Sequence, residues 1–243
     1  MTNPTTTAIT KTAIVTGAGR GIGSEIARVL AMRGFAVLAA ARTVTELEDL
    51  CSDLREKGCI ATPVRCDVRS PDDVRALIHA CESEHGRLDV LVNNAGMGRI
   101  LPVVETTDAI WRETVETNLS GTFYCTREAL PLMLRTGGGV IVNMASIAAV
   151  RGFANFAAYS ACKAGILAFS RSLREEVRKR GIRVTVVMPG ATQSSFWAGQ
   201  QGDWDPRRMI PAREVAEAVA NAVCQPPSTS TDEIVIMPSG GPL

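Results

Sequence analysis

The sequence predicts an α/β domain built on a doubly wound, parallel sheet of seven strands with helices on both faces. Two observations carry that expectation. Short apolar runs alternate with amphipathic stretches from one end of the 243-residue chain to the other, the pattern of repeated strand–helix–strand units with right-handed crossovers. Hydrophobic residues make up 46% and charged residues 21%, enough apolar material to cover both faces of a sheet and too few charges for a disordered chain.

The elements follow in order. Residues 12–16 form a short apolar run ending in glycine, and 21–33 has helical spacing at Ile22, Ile26, Val29 and Leu30. Residues 35–41 are continuously apolar, as in a strand covered on both sides. Residues 44–57 predict a polar helix with Leu47, Leu50 and Leu54 on one side, closed by Gly58. Residues 59–66 read as the third strand. Ser70 and Pro71 then supply an N-cap and first-turn pair for a helix to about His85. Residues 88–93 are the fourth strand, and one long helix is expected over 108–135, stopped by Gly137-Gly138-Gly139. Strands at 140–145 and 182–188 flank a helix over 156–180 that ends at Gly181, and 211–224 and 233–237 complete the pattern. With no internal repeat and no dividing linker, residues 1–243 read as one domain. Residues 1–10 are expected to be a flexible tail.

Twenty-six basic residues against twenty-five acidic ones leave a formal charge of +1. That balance gives no global pull toward nucleic acid or an anionic membrane. The polar amino terminus lacks the order of a signal peptide, and no apolar run approaches the roughly 20 residues of a membrane helix. Seven cysteines without a Cys-x-x-Cys pair, and only two histidines, argue against a disulfide framework and a structural zinc site. The expectation is a cytoplasmic protein with reduced thiols and no bound metal.

Two groups of residues carry chemistry. In Thr16-Gly17-Ala18-Gly19-Arg20-Gly21-Ile22-Gly23 the glycines have the spacing G-x-x-x-G-x-G. They permit close backbone approach, and the helix that follows aims free N–H groups at a phosphate; a plain tight turn would use the same residues. A Rossmann-type dinucleotide fold is the corresponding expectation. At the end of the second strand stand Ala41, Arg42 and Thr43 rather than the carboxylate that would accept the 2′-hydroxyl of NAD. Arg42 offers a forked cation suited to a phosphate and Arg20 lies nearby. The pattern predicts NADP(H) over NAD(H).

The second group is Tyr159 and Lys163, at i and i+4 on one helix face, thirteen residues after Ser146, which itself follows Asn118 by 28. Both side chains have reference pKa values near ~10. A nearby ammonium is expected to lower that of the phenol. So tuned, Tyr159 would protonate a developing alkoxide or deprotonate an alcohol. Gly17 to Gly23, Asp67, Asn93 to Gly96, Ser146 and 189–194 all fall just past strand ends, where open α/β sheets bind ligands.

Taken together, these motifs and Pro189-Gly190 resemble the short-chain dehydrogenase/reductase family over about residues 11–194, with a local texture similar to its 3-oxoacyl-(acyl carrier protein) reductase branch. The resemblance implies that Asn118, Ser146, Tyr159 and Lys163 are catalytic, Asn118 holding a water, Ser146 orienting the substrate oxygen and Lys163 binding the nicotinamide ribose. It implies that Asp67 and Val68 lie by the adenine, Asn94, Ala95 and Gly96 by the adenosine ribose, and Pro189, Gly190, Thr192 and Ser194 by the nicotinamide. Gly17, Gly19, Arg20, Gly21, Ile22, Gly23, Arg42 and Thr43 would hold the phosphates. Residues 194–210, with Phe196, Trp197, Trp204, Met209 and candidate hinges at Gly199 and Gly202, would form a lid over the substrate, facing 147–156; Arg151 would meet an anionic group there. The implied activity is reduction of a ketone, such as a 3-oxoacyl thioester, by a homotetramer or homodimer. An alcohol or hydroxysteroid-type dehydrogenase working oxidatively, and a catalytically silent cofactor-binding regulator, remain open as alternatives.

Overall fold

A computed structural model describes residues 10–198, 200 and 204–241. Seven strands form one parallel sheet: β1 (Thr12–Thr16), β2 (Ala36–Ala41), β3 (Ala61–Arg65), β4 (Val90–Asn93), β5 (Gly139–Met144), β6 (Ile182–Pro189) and β7 (Glu233–Ile236). Their spatial order is β3-β2-β1-β4-β5-β6-β7. The chain therefore winds one way from β1 to β3 and the other way from β4 onward, so the carboxyl ends of β1 and β4 flank a crevice. The expected doubly wound sheet is present.

Alternation along the strands builds two apolar layers. Helices α1 (Gly21–Met32), α2 (Val44–Glu56) and α7 (Ala212–Val223) cover one face, with Ile26, Leu30, Leu47 and Val219 fully buried. Helices α3 (Pro71–His85), α5 (Gly121–Arg135) and α6 (Ala157–Val177) cover the other, with Leu77, Ala129 and Met133 fully buried against Leu91 and Ile141. Ser70 caps α3 by accepting from the Asp73 amide, and Gly86 closes it in the left-handed region, as its sequence requires.

The single helix expected over 108–135 is corrected. Helix α4 (Asp108–Val115) passes into a π-helical turn, Glu116–Ser120, before α5 begins. The cause is local: Asn118 Nδ2 donates to the Thr114 carbonyl at 2.8 Å, taking the acceptor its own amide would use in a regular α-helix. The side chain is thereby turned inward and fully buried.

One polar chain crosses the middle of the sheet. Asn93 and Asn143 face each other across β4 and β5. Asn93 Nδ2 donates to Asn143 Oδ1 at 2.8 Å and to Thr126 Oγ1 at 3.0 Å, while Asn143 Nδ2 donates to Ser170 Oγ at 2.8 Å. Helices α5 and α6 are thus tied to the strands that carry the site. Asn143→Ala takes one of two hydrogen-bond partners from Asn93 Nδ2 and one from Ser170 Oγ, which keep Thr126 and the Ile166 carbonyl, and should cost about 1–2 kcal/mol. Urea unfolding reads this directly; an unshifted midpoint would show that the chain of amides is not structural.

Candidate active site

Glycine lets the first crossover close. Gly17 has φ +65°, and a Cβ there would lie 2.8 Å from Ala95 Cα; a Cβ on Gly23 would collide with the Gly17 carbonyl. Thr16 Oγ1 accepts from the amides of Asn94 and Ala95, both at 3.1 Å, and Asn94 Nδ2 donates back to Thr16 O at 2.9 Å. These bonds fix the loop after β4 against the glycine loop. Helix α1 starts without a side-chain cap and without an acidic residue in its first turn, which leaves its amides available to an anion.

Beyond these loops lies a cleft of about 790 Å³. It is lined by each residue named above as a cofactor contact, from Gly17 through Arg42, Thr43, Asp67 and Val68 to Gly190, Thr192 and Ser194, together with Ser146. The charges differ from expectation in one respect. Arg20 is not a free cation: its Nη1 stands 3.7 Å from Glu46 Oε1. Arg42 is exposed and has no ion-pair partner among the described residues. The Asp67 carboxylate is held by the Arg69 guanidinium at 2.6 Å, which keeps it below the usual carboxylate range.

The four polar residues converge beyond the ends of β4 and β5. Lys163, nearly fully buried, donates from Nζ to the Met144 carbonyl at 2.8 Å and lies 5.4 Å from the centre of the Tyr159 ring. Asn118 stands behind them. Its Nδ2 also donates to Met97 O at 2.7 Å, and its Oδ1 accepts from the Met97 amide at 3.3 Å. A Cβ on Gly96 would sit 2.8 Å from Asn118 Oδ1 and 3.4 Å from Lys163 Nζ, so glycine is what allows these groups to share one space. Ser146 begins the turn after β5, accepting from the Ala148 amide at 3.2 Å, and hydrogen-bonds to the Tyr159 side chain.

Expected lowering of the phenol pKa is corrected for this structure. Burial pushes Tyr159 up to about 12 against the restraining hydrogen bond of Ser146, and burial pushes Lys163 down to about 8. The same loss of solvent disfavours both charged forms.

The segment after β6 contributes aromatic residues to the cleft. Phe196 packs on Tyr159 with ring centres 5.3 Å apart, Trp197 meets Trp204 at 4.4 Å, and all three aromatics line the cleft. Met209 does not: it is buried in the body, where Ile210 joins Thr192 in a short parallel bridge. Arg151 is likewise not on the cleft; its guanidinium sits 5.5 Å over the Phe153 ring. The hinge positions Gly199 and Gly202 lie outside the described residues. Two residues unforeseen from sequence matter here. Gln200 ties the segment after β6 to the loop after β4, donating from Nε2 to Gly98 O at 2.7 Å and accepting at Oε1 from the Ile100 amide at 3.0 Å. Arg99, between those two anchors, lines the cleft.

A doubly wound sheet with this cleft over its carboxyl edge puts a ligand site where open α/β folds bind their ligands. Residues 11–204 match the short chain dehydrogenase family, and the chain belongs to that family. The 3-oxoacyl-[acyl-carrier-protein] reductase FabG of Staphylococcus aureus is 38% identical over 183 residues, 75% of this chain and 74% of that protein. Cis-4-hydroxycyclohexanecarboxylate dehydrogenase of Sinomonas cyclohexanicum is 40% identical over 220 residues, 86% and 88% of the two chains. Among solved structures, a single-residue variant of the actinorhodin polyketide ketoreductase with NADPH superposes with a TM-score of 0.86 at 33% identity, covering 94% of this chain and 96% of that one. No helix among the described residues is long and apolar enough to cross a membrane.

The depressed Lys163 pKa has a signed consequence. Between about 8 and the ordinary 10.5 the unfolded chain holds a proton that the folded one has released, so stability rises with pH across that window. Comparing wild type with Lys163→Met cancels Tyr159, present in both. The difference in unfolding free energy should move toward wild type from pH 8 to 10.5; a flat difference would contradict the assigned shift.

Proposed function

We propose that the protein is an NADPH-dependent carbonyl reductase that converts a ketone to a secondary alcohol, with Tyr159 as proton donor. The observation that carries this reading is the Tyr159 phenol standing in the cleft against the Phe196 ring, with Ser146 on the same cleft wall and Lys163 behind it. A phenol held near 12 stays protonated at neutral pH and is still a far stronger acid than an alcohol, which resembles water at about 15.7. It is therefore suited to giving a proton to a forming alkoxide.

The residues present fit the cofactor. Gly17 and Gly23 let the loop close, since a Cβ on either would meet Ala95 Cα or the Gly17 carbonyl, and the uncapped start of α1 lines the cleft at Gly21, Ile22 and Gly23, where its amides suit a diphosphate. Arg42, with Thr43, would take the 2′-phosphate, and no carboxylate stands at that strand end to favour NAD(H) instead. Asp67 and Val68 would border the adenine, Asn94, Ala95 and Gly96 its ribose, and Pro189, Gly190, Thr192 and Ser194 the nicotinamide. When bound, NADPH supplies the hydride. Ser146 fixes the carbonyl oxygen beside the phenol. Lys163, anchored on Met144, would hold ribose hydroxyls, and Asn118 would hold a water that returns a proton toward Lys163. The aromatic lid excludes bulk water from this exchange.

A relative named as a dehydrogenase of a hydroxycyclohexane carboxylate favours a second reading, oxidation of a secondary alcohol at the same site. A ketone reductase handling acyl thioesters accords with the FabG relative. Exposed Trp111 and Phe123 on α4 and α5, with Phe169 of α6 edge-on to Phe123 at 6.3 Å, support assembly into a homotetramer or homodimer through these helices. A cytoplasmic location accords with seven unpaired cysteines.

Tyr159→Phe should bind NADPH within about threefold of wild type and lose about 10²–10⁴ in turnover of a ketone panel; near-normal turnover would remove Tyr159 from the chemistry. Arg42→Ala should cut the NADPH-over-NADH preference in kcat/KM by about 10–100-fold, the worth of a charged hydrogen bond. An unchanged ratio would place the cofactor selectivity elsewhere.

A further inference from the structure

Arginines in this protein are mostly committed to carboxylates or carbonyls: Arg33 to Glu217, Arg69 to Asp67, Arg87 to Asp89, Arg171 to Glu233. Two that line the cleft have no ion-pair or hydrogen-bond partner among the described residues, Arg42 and Arg99. Arg42 stands at the cofactor end. Arg99 stands at the other.

The position of Arg99 follows from its neighbour. A Cβ on Gly98 would lie 2.7 Å from Tyr159 Cδ2 and 3.0 Å from Phe196 Cε2, so residue 98 sits between the proton donor and the lid. Arg99 is the next residue outward. Its backbone is held on both sides, by Gln200 at Gly98 and Ile100 and by the Asn155 carbonyl accepting from Leu101 at 2.9 Å. Around it the cleft is lined by Phe153, Phe156, Phe196 and Trp197. The two carboxylates on the cleft, Glu46 and Asp67, belong to the cofactor end and face Arg20 and Arg69. The substrate end therefore combines an apolar, aromatic wall with one unpaired guanidinium on an anchored stretch of backbone, and no acid among its described residues.

We propose that Arg99 sets substrate class: it pairs with a carboxylate or phosphate oxyanion at the far end of a ketone whose apolar body lies against the lid aromatics. This rests on the reductase reading for the identity of the reacting group, and on the cleft alone for the oxyanion. A forked guanidinium takes two oxyanion oxygens at once, which fixes both distance and orientation. The carbonyl is then presented to Tyr159 from one end only.

The test is equilibrium binding by calorimetry to the NADP⁺ complex, with which a ketone does not react. Three probes share one cyclic ketone skeleton: the carboxylate, its methyl ester and the phosphate monoester. Wild type should bind one of the anions about 10–100-fold more tightly than the ester, and the tighter anion names the oxyanion. Arg99→Gln should bring that ratio to within about threefold of unity. Arg99→Lys, which keeps the charge and loses the fork, should retain part of it; a merely structural role would make both variants fall alike on all probes. A wild type that binds the ester as tightly as both anions, or an R99Q protein that keeps the preference, overturns the proposal. Binding selectivity without turnover of any probe would instead count against the reductase reading and leave the oxyanion site standing.

Discussion

The site depends on the closure between the carboxyl ends of β1 and β4. At that point the winding of the sheet reverses, and the two loops that leave the strands must meet rather than spread. Thr16 and Asn94 join them by reciprocal hydrogen bonds, and the missing side chain of Gly17 lets Ala95 approach. Everything placed along the same edge inherits this geometry: the start of α1, the Asn94 to Ile100 loop, and through that loop the contact with Gln200. The glycine loop and the Tyr159 end of the cleft are thus two parts of one edge.

Burial does two jobs in this cleft. It positions Lys163 and Asn118, whose side chains are committed to Met144, Met97 and Thr114 carbonyls. It also favours the neutral forms of Tyr159 and Lys163, moving their pKa values to about 12 and about 8. The π-helical turn serves the same packing: by giving its own amide acceptor to the Asn118 side chain, the helix turns that amide inward beneath Gly96. A regular helix would spend the Thr114 carbonyl on the residue 118 amide and leave the Asn118 side chain without that anchor.

Much of the fold was legible because its signals are local. Continuous apolar runs such as that of β2, the Ser70–Pro71 start of α3 and the glycine loop each report on a few adjacent residues. The lining of the cleft was legible too, since strand ends and cleft residues coincide. What escaped was decided across the chain or by burial. The π turn at Asn118 leaves the apolar period of the long helix nearly unchanged. Tyr159 and Lys163 advertise an ion-assisted pair by spacing, yet the loss of solvent that governs their protonation is a property of the assembled cleft. Gln200 reaches Gly98 from 102 residues away, and nothing near either residue announces it. Met209 carries the same apolar character as the lid aromatics; only the bridge of its neighbour Ile210 to Thr192 sends it into the body instead.

The central claim is that one edge of the sheet brings a reduced nicotinamide and a protein proton donor to the same carbonyl carbon and oxygen. A single turnover with NADPH deuterated at C4 tests it most directly, read by mass spectrometry and NMR of the alcohol. The account predicts one deuterium from the labelled face on the carbinol carbon and the hydroxyl proton from solvent-exchangeable groups. An alcohol whose carbinol hydrogen comes from water would contradict it.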